Sequence, residues 1–271
     1  MVPSGMPSTL SLRRALDLAV WRDVLWPREH GSWSLALEPL AFGLIAASSA
    51  GGFALAGVVT AAFFARRPLR WLKPELRDER TLVAGMAMGG CGVIMAAGLG
   101  AITVRHGVAW LPWLAPSLVG GAVFLAYDLR GLGRELVPEV AGAAAFAAVP
   151  AALATLAGWT PGAAASLGLI MMGRAVPTVL CVRAVLREQK TGEPDRASAL
   201  VAVVLAFVGS FALQAASLAP LTAVVALALL AGRAGWLLVY PRPALRARTL
   251  GLSEAMLGLA FVVVVGMAWR A

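Results

Sequence analysis

The sequence predicts an all-α, polytopic integral membrane protein: a bundle of about nine transmembrane helices with the N-terminus inside and the C-terminus outside. Three observations favour this fold class. Of the 271 residues, 60% are hydrophobic and only 14% are charged, whereas soluble domains are about 45–50% apolar and about 25% charged. The apolar residues form long uncharged runs, as membrane-spanning helices require. The basic residues alternate between the two ends of successive runs.

Nine apolar segments, separated by charged or turn-rich breaks, are the predicted spans. They are residues 32–50, 52–66, 82–104, 108–128, 137–157, 162–182, 197–217, 219–239 and 250–269. Most are close to the roughly 20 residues that a helix needs to cross the hydrocarbon core. The second is short, and we expect it to extend toward Leu72, with Arg66 and Arg67 snorkelling. We expect residues 1–31 to be a cytoplasmic N-terminal segment with an interfacial amphipathic stretch, and residues 32–271 to form a single transmembrane domain.

The distribution of Lys and Arg orients these spans. With the N-terminus inside, 19 of the 23 basic residues fall in the N-terminal segment or in the loops after spans two, four, six and eight. Arg105 and Arg270 fall outside, whereas Arg174 and Arg233 lie within spans. Cytoplasmic loops carry such an excess of basic residues. The net charge of +9 therefore needs no nucleic-acid partner, and no recognition motif accompanies it.

Five charged residues fall inside the spans or at their cytoplasmic ends. They are Glu38, Asp128, Arg174, Arg233 and Glu254. A charge in the hydrocarbon costs at least about 2.5–3.5 kcal/mol, so such residues normally face the bundle interior or a wet cavity. The simplest hypothesis is a water-filled cavity that opens to the cytoplasm and is lined by all five. Snorkelling or helix capping is the alternative for Asp128, Arg233 and Glu254. Arg174 is deeper, and Glu38 is its expected partner.

The segment that precedes span one supplies the candidate acid–base residues. On a continuing helix His30, Ser34 and Glu38 share one face, and His30 titrates near neutral pH. The predicted catalytic residues are Glu29, His30 and Glu38; a capping or headgroup contact is the alternative for His30. His30 falls inside and His106 outside, and neither CxxC nor HExxH is present. The sequence therefore indicates no metal site and no cofactor.

The segment from Pro27 to Trp33, followed by Glu38 and Pro39, resembles the YwiC-like family of bacterial membrane proteins. Residues 64–70, Arg80 with Thr81, and residues 248–254 extend the resemblance over most of the chain. It implies a multi-pass protein of the bacterial cytoplasmic (inner) membrane, but it implies no activity.

More distantly, the expected nine-helix architecture with large polar loops after spans two and six is similar to the UbiA superfamily of intramembrane prenyltransferases. The segment from Tyr127 to Arg130, with Arg134, resembles a motif of that superfamily. Those enzymes hold an isoprenyl diphosphate through Mg²⁺ on Asp-rich motifs. The corresponding loops here are dominated by Arg and Lys and lack those motifs. Mg²⁺ is therefore disfavoured, and an enzyme of this kind would be a transferase without the usual metal-binding residues.

Three functions remain open from the sequence. The first is binding or transformation of an anionic lipid or prenyl-diphosphate-like substrate from the cytoplasmic side. Its substrate-binding residues would be Arg66, Arg67, Arg130, Arg134, Arg174 and Arg183, because guanidinium groups bind phosphate in a forked geometry. Asp128 is predicted to belong to the same substrate site. The second is transport of a small anion at Arg174, beside the helix-breaking Pro177. The third is a non-catalytic subunit of a membrane complex. Membrane lipids and an anionic amphiphile are the expected partners.

Overall fold

A computed structural model describes residues 17–26, 30–72, 79–192, 196–240 and 247–270. Within these ranges the chain forms ten α-helices, one short 3-10 helix at Leu111–Leu114, and no strand. The α-helices are α1 (Leu18–Leu25), α2 (His30–Ala46), α3 (Ala50–Leu69), α4 (Glu79–His106), α5 (Ala115–Leu129), α6 (Leu136–Leu156), α7 (Pro161–Thr191), α8 (Ala197–Ala215), α9 (Leu221–Val239) and α10 (Ala247–Ala268).

Local sequence signals set several helix ends. Asp17 caps α1 by accepting a hydrogen bond from the Ala19 backbone N–H at 2.9 Å. Thr160 caps α7 in the same way, and Pro161 follows at the first helical position, where its missing N–H has no cost. At the other end of α7, Gly192 takes a left-handed φ of 74°, a conformation that glycine adopts without steric cost. These caps satisfy backbone groups that a helix end otherwise leaves unpaired.

In the part of the chain that the structure describes, six helices are long and apolar enough to cross a membrane: α4, α6, α7, α8, α9 and α10. A shorter apolar helical stretch covers Trp33–Ala46. Each of the nine segments predicted from hydropathy overlaps one of the helices α2 to α10. The all-helical, membrane-type fold class is confirmed for the described residues.

The predicted end of one segment was wrong. Segment 162–182 continues as helix to Thr191, so Arg183, Arg187 and Lys190 lie on α7 rather than in a loop. The expected extension of segment 52–66 toward Leu72 is confirmed as far as Leu69, where α3 ends. Charge ends the apolar run at both places, but Arg and Lys are good helix formers. A helix therefore extends past the point where its side chains suit hydrocarbon.

The described residues form two compact units. The first contains those among residues 1–29 and 54–105. In it, Val24 of α1 packs against Val83 and Ala84 of α4, and Asp23 forms an ion pair with Arg80 at 3.2 Å. Aliphatic and aromatic side chains of α1 thus pack against the start of α4.

The second unit contains the described residues among 30–53 and 106–271. Helix α6 contacts α2, α5 and α7, while α7 contacts α8 and α9, and α10 contacts α2. Small residues permit this close packing: a Cβ added at Gly168 of α7 would lie 3.2 Å from the Ala151 Cβ of α6. Lipid provides no hydrophobic drive between helices, so close van der Waals contact must hold them together.

Candidate functional site

Four charged side chains from four helices meet inside the second unit. We call Glu38 (α2), Arg174 (α7), Arg233 (α9) and Glu254 (α10) the charged quartet. Arg174 is only 2% exposed, and its Nη2 lies 3.5 Å from Glu38 Oε2. Arg233 pairs with Glu254 through Nη1 and Oε1. The expected partnership of Arg174 with Glu38 is therefore confirmed.

Arg174 makes further hydrogen bonds that fix its position. Its Nη1 donates to Thr178 Oγ1, and its Nη2 donates to the Glu254 backbone carbonyl at 2.9 Å. Thr178 in turn donates to the Arg174 carbonyl at 2.7 Å. Among the described residues, the buried Nε of Arg174 has no hydrogen-bond partner. One strong donor of this buried cation is thus enclosed by the protein and left unsatisfied.

Two serines form further hydrogen bonds with the charged quartet. Ser34 Oγ donates to Glu38 Oε1. Arg233 Nη2 donates to Ser253 Oγ at 2.9 Å, and Ser253 donates to the Leu250 carbonyl at 2.8 Å. The two carboxylates balance the two guanidinium groups, so the quartet has no net charge. Pairing of this kind lowers the cost of charge within a membrane domain.

Gly258 makes room for the Glu38 carboxylate. A Cβ at position 258 would fall on the Glu38 side chain and contact Cδ, Oε1 and Oε2. Gly258 lies four residues after Glu254 and so shares its face of α10. The close approach of α2 and α10 at this point therefore depends on a residue without a side chain.

A small cavity of about 30 Å³ adjoins the quartet and is lined by Arg174, Arg233 and Glu254. It has room for about two water molecules. Pro177 also lines it, and proline has no N–H to donate to the carbonyl four residues earlier, that of Gly173. The cavity walls thus include two cationic side chains, a carboxylate and a proline that cannot complete the hydrogen bonding of its helix.

A larger apolar groove of about 600 Å³ lies between α7 and α8. It shares Gly173, Pro177 and Ala206 with the small cavity. Beyond these, its walls include Leu169 of α7 and Leu213 of α8. In the described part of the second unit a polar cavity and an apolar groove therefore lie next to each other.

Of the five residues expected to line the cavity, Arg174, Arg233 and Glu254 line it, whereas Glu38 and Asp128 do not. Glu38 still contacts Arg174, but Asp128 has no contact with the quartet among those described. It lies at the end of another helix, α5, where it is 5% exposed, and a Cβ added at Gly133 would lie 2.5 Å from Asp128 Oδ1. The turn after α5 thus folds over this carboxylate. Only four of the five expected residues come together.

Three other predicted arginines belong to the second unit but do not line the cavity: Arg130, Arg134 and Arg183. Arg130 and Arg134 are exposed after α5. Arg183 donates from Nη1 to the Arg134 carbonyl and to Glu139 Oε2, both at 2.8 Å. Arg183 therefore joins α7 to the start of α6.

Two further predicted arginines lie near the end of α3, in the first unit. The Arg66 guanidinium lies 5.9 Å from the Phe63 ring centroid, and Arg67 donates to the Trp26 carbonyl. Glu29 lies outside the described residues. His30 begins α2, and its side chain also lies outside the described part.

Sequence reasoning missed Thr178, Ser253 and Gly258 as members of the site. Spacing gave a signal for two of them: Thr178 follows Arg174, and Gly258 follows Glu254, by four residues. Within the described ranges, no group of three or more His, Cys, Asp or Glu side chains is placed to hold a metal ion.

The apolar helices and the charged quartet define a polytopic helical membrane protein. Residues 26–154 match the model of a family described as YwiC-like protein, which confirms the resemblance seen in the sequence. The matched segment contains Glu38 but not the other three members of the quartet. No curated protein and no solved structure matches the chain.

Proposed function

We propose that this protein binds an anionic amphiphile, either a lipid or a prenyl-diphosphate-like molecule, at the cavity beside Arg174 and Arg233. In this proposal it crosses the bacterial cytoplasmic membrane nine times, with the N-terminus inside and the C-terminus outside. The ligand enters from the cytoplasmic half. The exposed Arg130 and Arg134, with Arg66, Arg67 and Arg183, attract anionic headgroups to that side by their positive charge.

The observation that carries the proposal is the cavity beside Arg174, a side chain only 2% exposed, because two guanidinium-bearing side chains line it. Guanidinium binds phosphate and carboxylate oxygens well because its N–H groups lie in one plane. Arg233 lines the same cavity and supplies a second guanidinium.

The charge balance of the quartet defines how an anion binds. Glu254 already pairs with Arg233, and the cavity of about 30 Å³ is too small for a phosphate group beside that carboxylate. An anionic head must therefore take the place of Glu254 on Arg233 rather than add to it. Glu254 is then a competitor of the ligand, and its charge weakens ligand binding.

Where the ligand is transformed as well as held, we propose Glu38 as the acid–base group, because it contacts Arg174. Glu29 and His30 are proposed to assist it on the strength of the sequence pattern alone. Asp128 is proposed to act near the exposed Arg130 rather than at the cavity. The proposal requires no Mg²⁺, since guanidinium groups supply the positive charge.

Native mass spectrometry of the protein released from its membrane in mild detergent tests this function. We expect the wild type to retain a phosphate-bearing amphiphile and Arg233→Gln to lose it. Arg248→Gln removes the same charge from an exposed position of α10 and is expected to retain the ligand. A wild type that carries no phosphate-bearing amphiphile contradicts the proposal, as does equal retention by both variants.

Arg130→Ala tests the cytoplasmic approach of the ligand. We expect the variant to retain less of the amphiphile, because an exposed cation near the entry raises the local concentration of anions. If Arg130→Ala retains as much amphiphile as the wild type, Arg130 has no part in the proposed function, although the cavity can still bind the ligand.

Transport of a small anion is the second candidate, and the position of Pro177 favours it. This proline lies three residues after Arg174 inside α7, which continues through it as one helix but lacks the hydrogen bond that a proline N–H cannot donate. Transporters bind ions where helices are weakened or broken near the bilayer midplane. Uptake of anions into vesicles is the deciding measurement. Transport that Arg174→Ala abolishes supports this candidate, and unaltered uptake in that variant excludes it.

A further inference from the structure

The apolar groove between α7 and α8 is placed to hold a hydrocarbon chain. Its volume is about 600 Å³, within the usual range of about 300–1,000 Å³ for ligand pockets. The one hydroxyl in its wall, that of Ser210, is satisfied internally by a 2.7 Å hydrogen bond to the Phe207 carbonyl. The groove therefore offers an apolar surface without a free donor.

The groove and the polar cavity extend in opposite directions along the same helices. From the shared residues Gly173 and Pro177, the cavity continues to Cys181, toward the C-terminal end of α7. The groove continues instead to Leu169, toward the N-terminal end of that helix. The cavity and the groove together thus have a polar end and an apolar end, as an amphiphile has.

We propose that the groove holds the hydrocarbon chain of an acidic amphiphile whose head lies at Arg174 and Arg233. This inference rests on the proposed function and names the ligand class more narrowly: a chain-bearing acid rather than a small anion. With the C-terminal end of α7 facing the cytoplasm, the head lies in the inner half of the membrane. The chain then points toward the bilayer centre, as the chain of an inner-leaflet lipid does.

The ligand enters sideways from the membrane. Leu205, which lines the groove, is 66% exposed, so the groove is open along its flank within the second unit. A chain that leaves bulk lipid for an apolar groove gains little hydrophobic free energy, because both surroundings are apolar. The groove therefore acts by shape: it aligns the chain so that the head reaches the guanidinium groups.

Gly209→Leu is the variant that tests the groove. Gly209 lines it, and a Cβ at this position meets nothing within 4 Å, so leucine extends into the open space without straining the fold. Gly121→Leu is the matched control, since Gly121 is on α5 and also has open space around it. Both proteins are studied in nanodiscs with hexadecyl phosphate and with inorganic phosphate as probes.

We expect Gly209→Leu to weaken binding of hexadecyl phosphate by about tenfold or more, a loss of about 1.4 kcal/mol. Inorganic phosphate reaches only the cavity, so its binding is retained. Gly121→Leu leaves both affinities unchanged. A parallel titration with farnesyl phosphate distinguishes an alkyl chain from a prenyl chain: the probe that loses more affinity in Gly209→Leu identifies the chain that the groove fits.

Two results overturn the inference while the proposed function stands. One is unchanged binding of both chain-bearing probes by Gly209→Leu. The other is an equal loss of inorganic phosphate and chain-bearing phosphate, which means that the substitution disturbs the cavity itself. Failure of the wild type to bind any of the probes overturns the proposed function instead, so the two failures are distinguishable.

Discussion

Removing the Glu38 carboxylate leaves a buried cation without its nearest counter-charge. Arg174 is 2% exposed in the wild type, and in Glu38→Ala it is expected to keep only its bonds to Thr178 and to the Glu254 carbonyl. Breaking a buried ion pair by removing one partner costs about 3–5 kcal/mol. Because two hydrogen bonds remain, we expect the low end of this range, about 3 kcal/mol.

Glu139→Ala is the matched comparison because it breaks a closer but more exposed pair. Arg183 and Glu139 are separated by 2.8 Å, yet they are 32% and 34% exposed. Exposed pairs contribute only about 0.2–1 kcal/mol, since water and salt screen them. The Arg174–Glu38 pair has the longer distance, yet its loss is expected to lower the free energy of unfolding more than loss of the Arg183–Glu139 pair. Burial, rather than distance, decides how much stability is lost.

The assay is unfolding by SDS in mixed micelles, with the free energy of unfolding measured for each variant. Adding Arg174→Met to Glu38→Ala removes the unpaired charge, so the double variant is expected to lose less than the sum of the two single losses. The reasoning is refuted if Glu38→Ala loses no more stability than Glu139→Ala. Additive losses in the double variant refute it as well.

Three further predictions follow from the packing and the charge distribution. Gly258→Ala is expected to cost about 1–3 kcal/mol because its methyl group displaces Glu38, whereas Gly251→Ala on the same helix meets open space and stays within about 1 kcal/mol of the wild type; SDS unfolding measures both. In the first unit, a Cβ at Gly98 would lie 2.5 Å from an α3 side chain, whereas one at Gly100 meets nothing. Gly98→Ala is expected to unfold at a lower SDS fraction than Gly100→Ala. For the orientation, alkaline phosphatase fused to the C-terminus is expected to be active and green fluorescent protein at the same place dark, and the reverse result contradicts an external C-terminus.

The helical fold could be predicted from the sequence because hydrocarbon imposes a simple rule on the chain. Backbone groups in lipid must be satisfied internally, so a long apolar run forms a helix. The ends of these helices were harder to predict. Lys190 lies beyond the apolar run yet is still helical, since α7 continues until Gly192 caps it. Hydropathy indicates which residues are compatible with lipid, whereas capping residues and helix propensity determine where a helix ends.

The core of the site was predictable for a related reason. A charge within a span is costly unless it is paired, and this rule pointed to the Arg174–Glu38 contact. It gave the wrong place for Asp128, because a residue at the end of a span has alternatives to the bundle interior. Spacing placed Gly258 on the same face of its helix as Glu254, but its contact with Glu38 arises from helices that meet only in the folded chain. The same is true of the contact between Ser253 and Arg233, for which the sequence gave no signal.

The central claim is that an anionic head replaces Glu254 on Arg233, and a pair of single substitutions tests it most directly. The measurement is the affinity for hexadecyl phosphate of the wild type, Arg233→Gln and Glu254→Gln in nanodiscs. We predict opposite changes: Arg233→Gln binds more weakly because it loses a guanidinium, and Glu254→Gln binds more tightly because it loses the competing charge. Weaker binding by both variants, or no change in either, would contradict the claim.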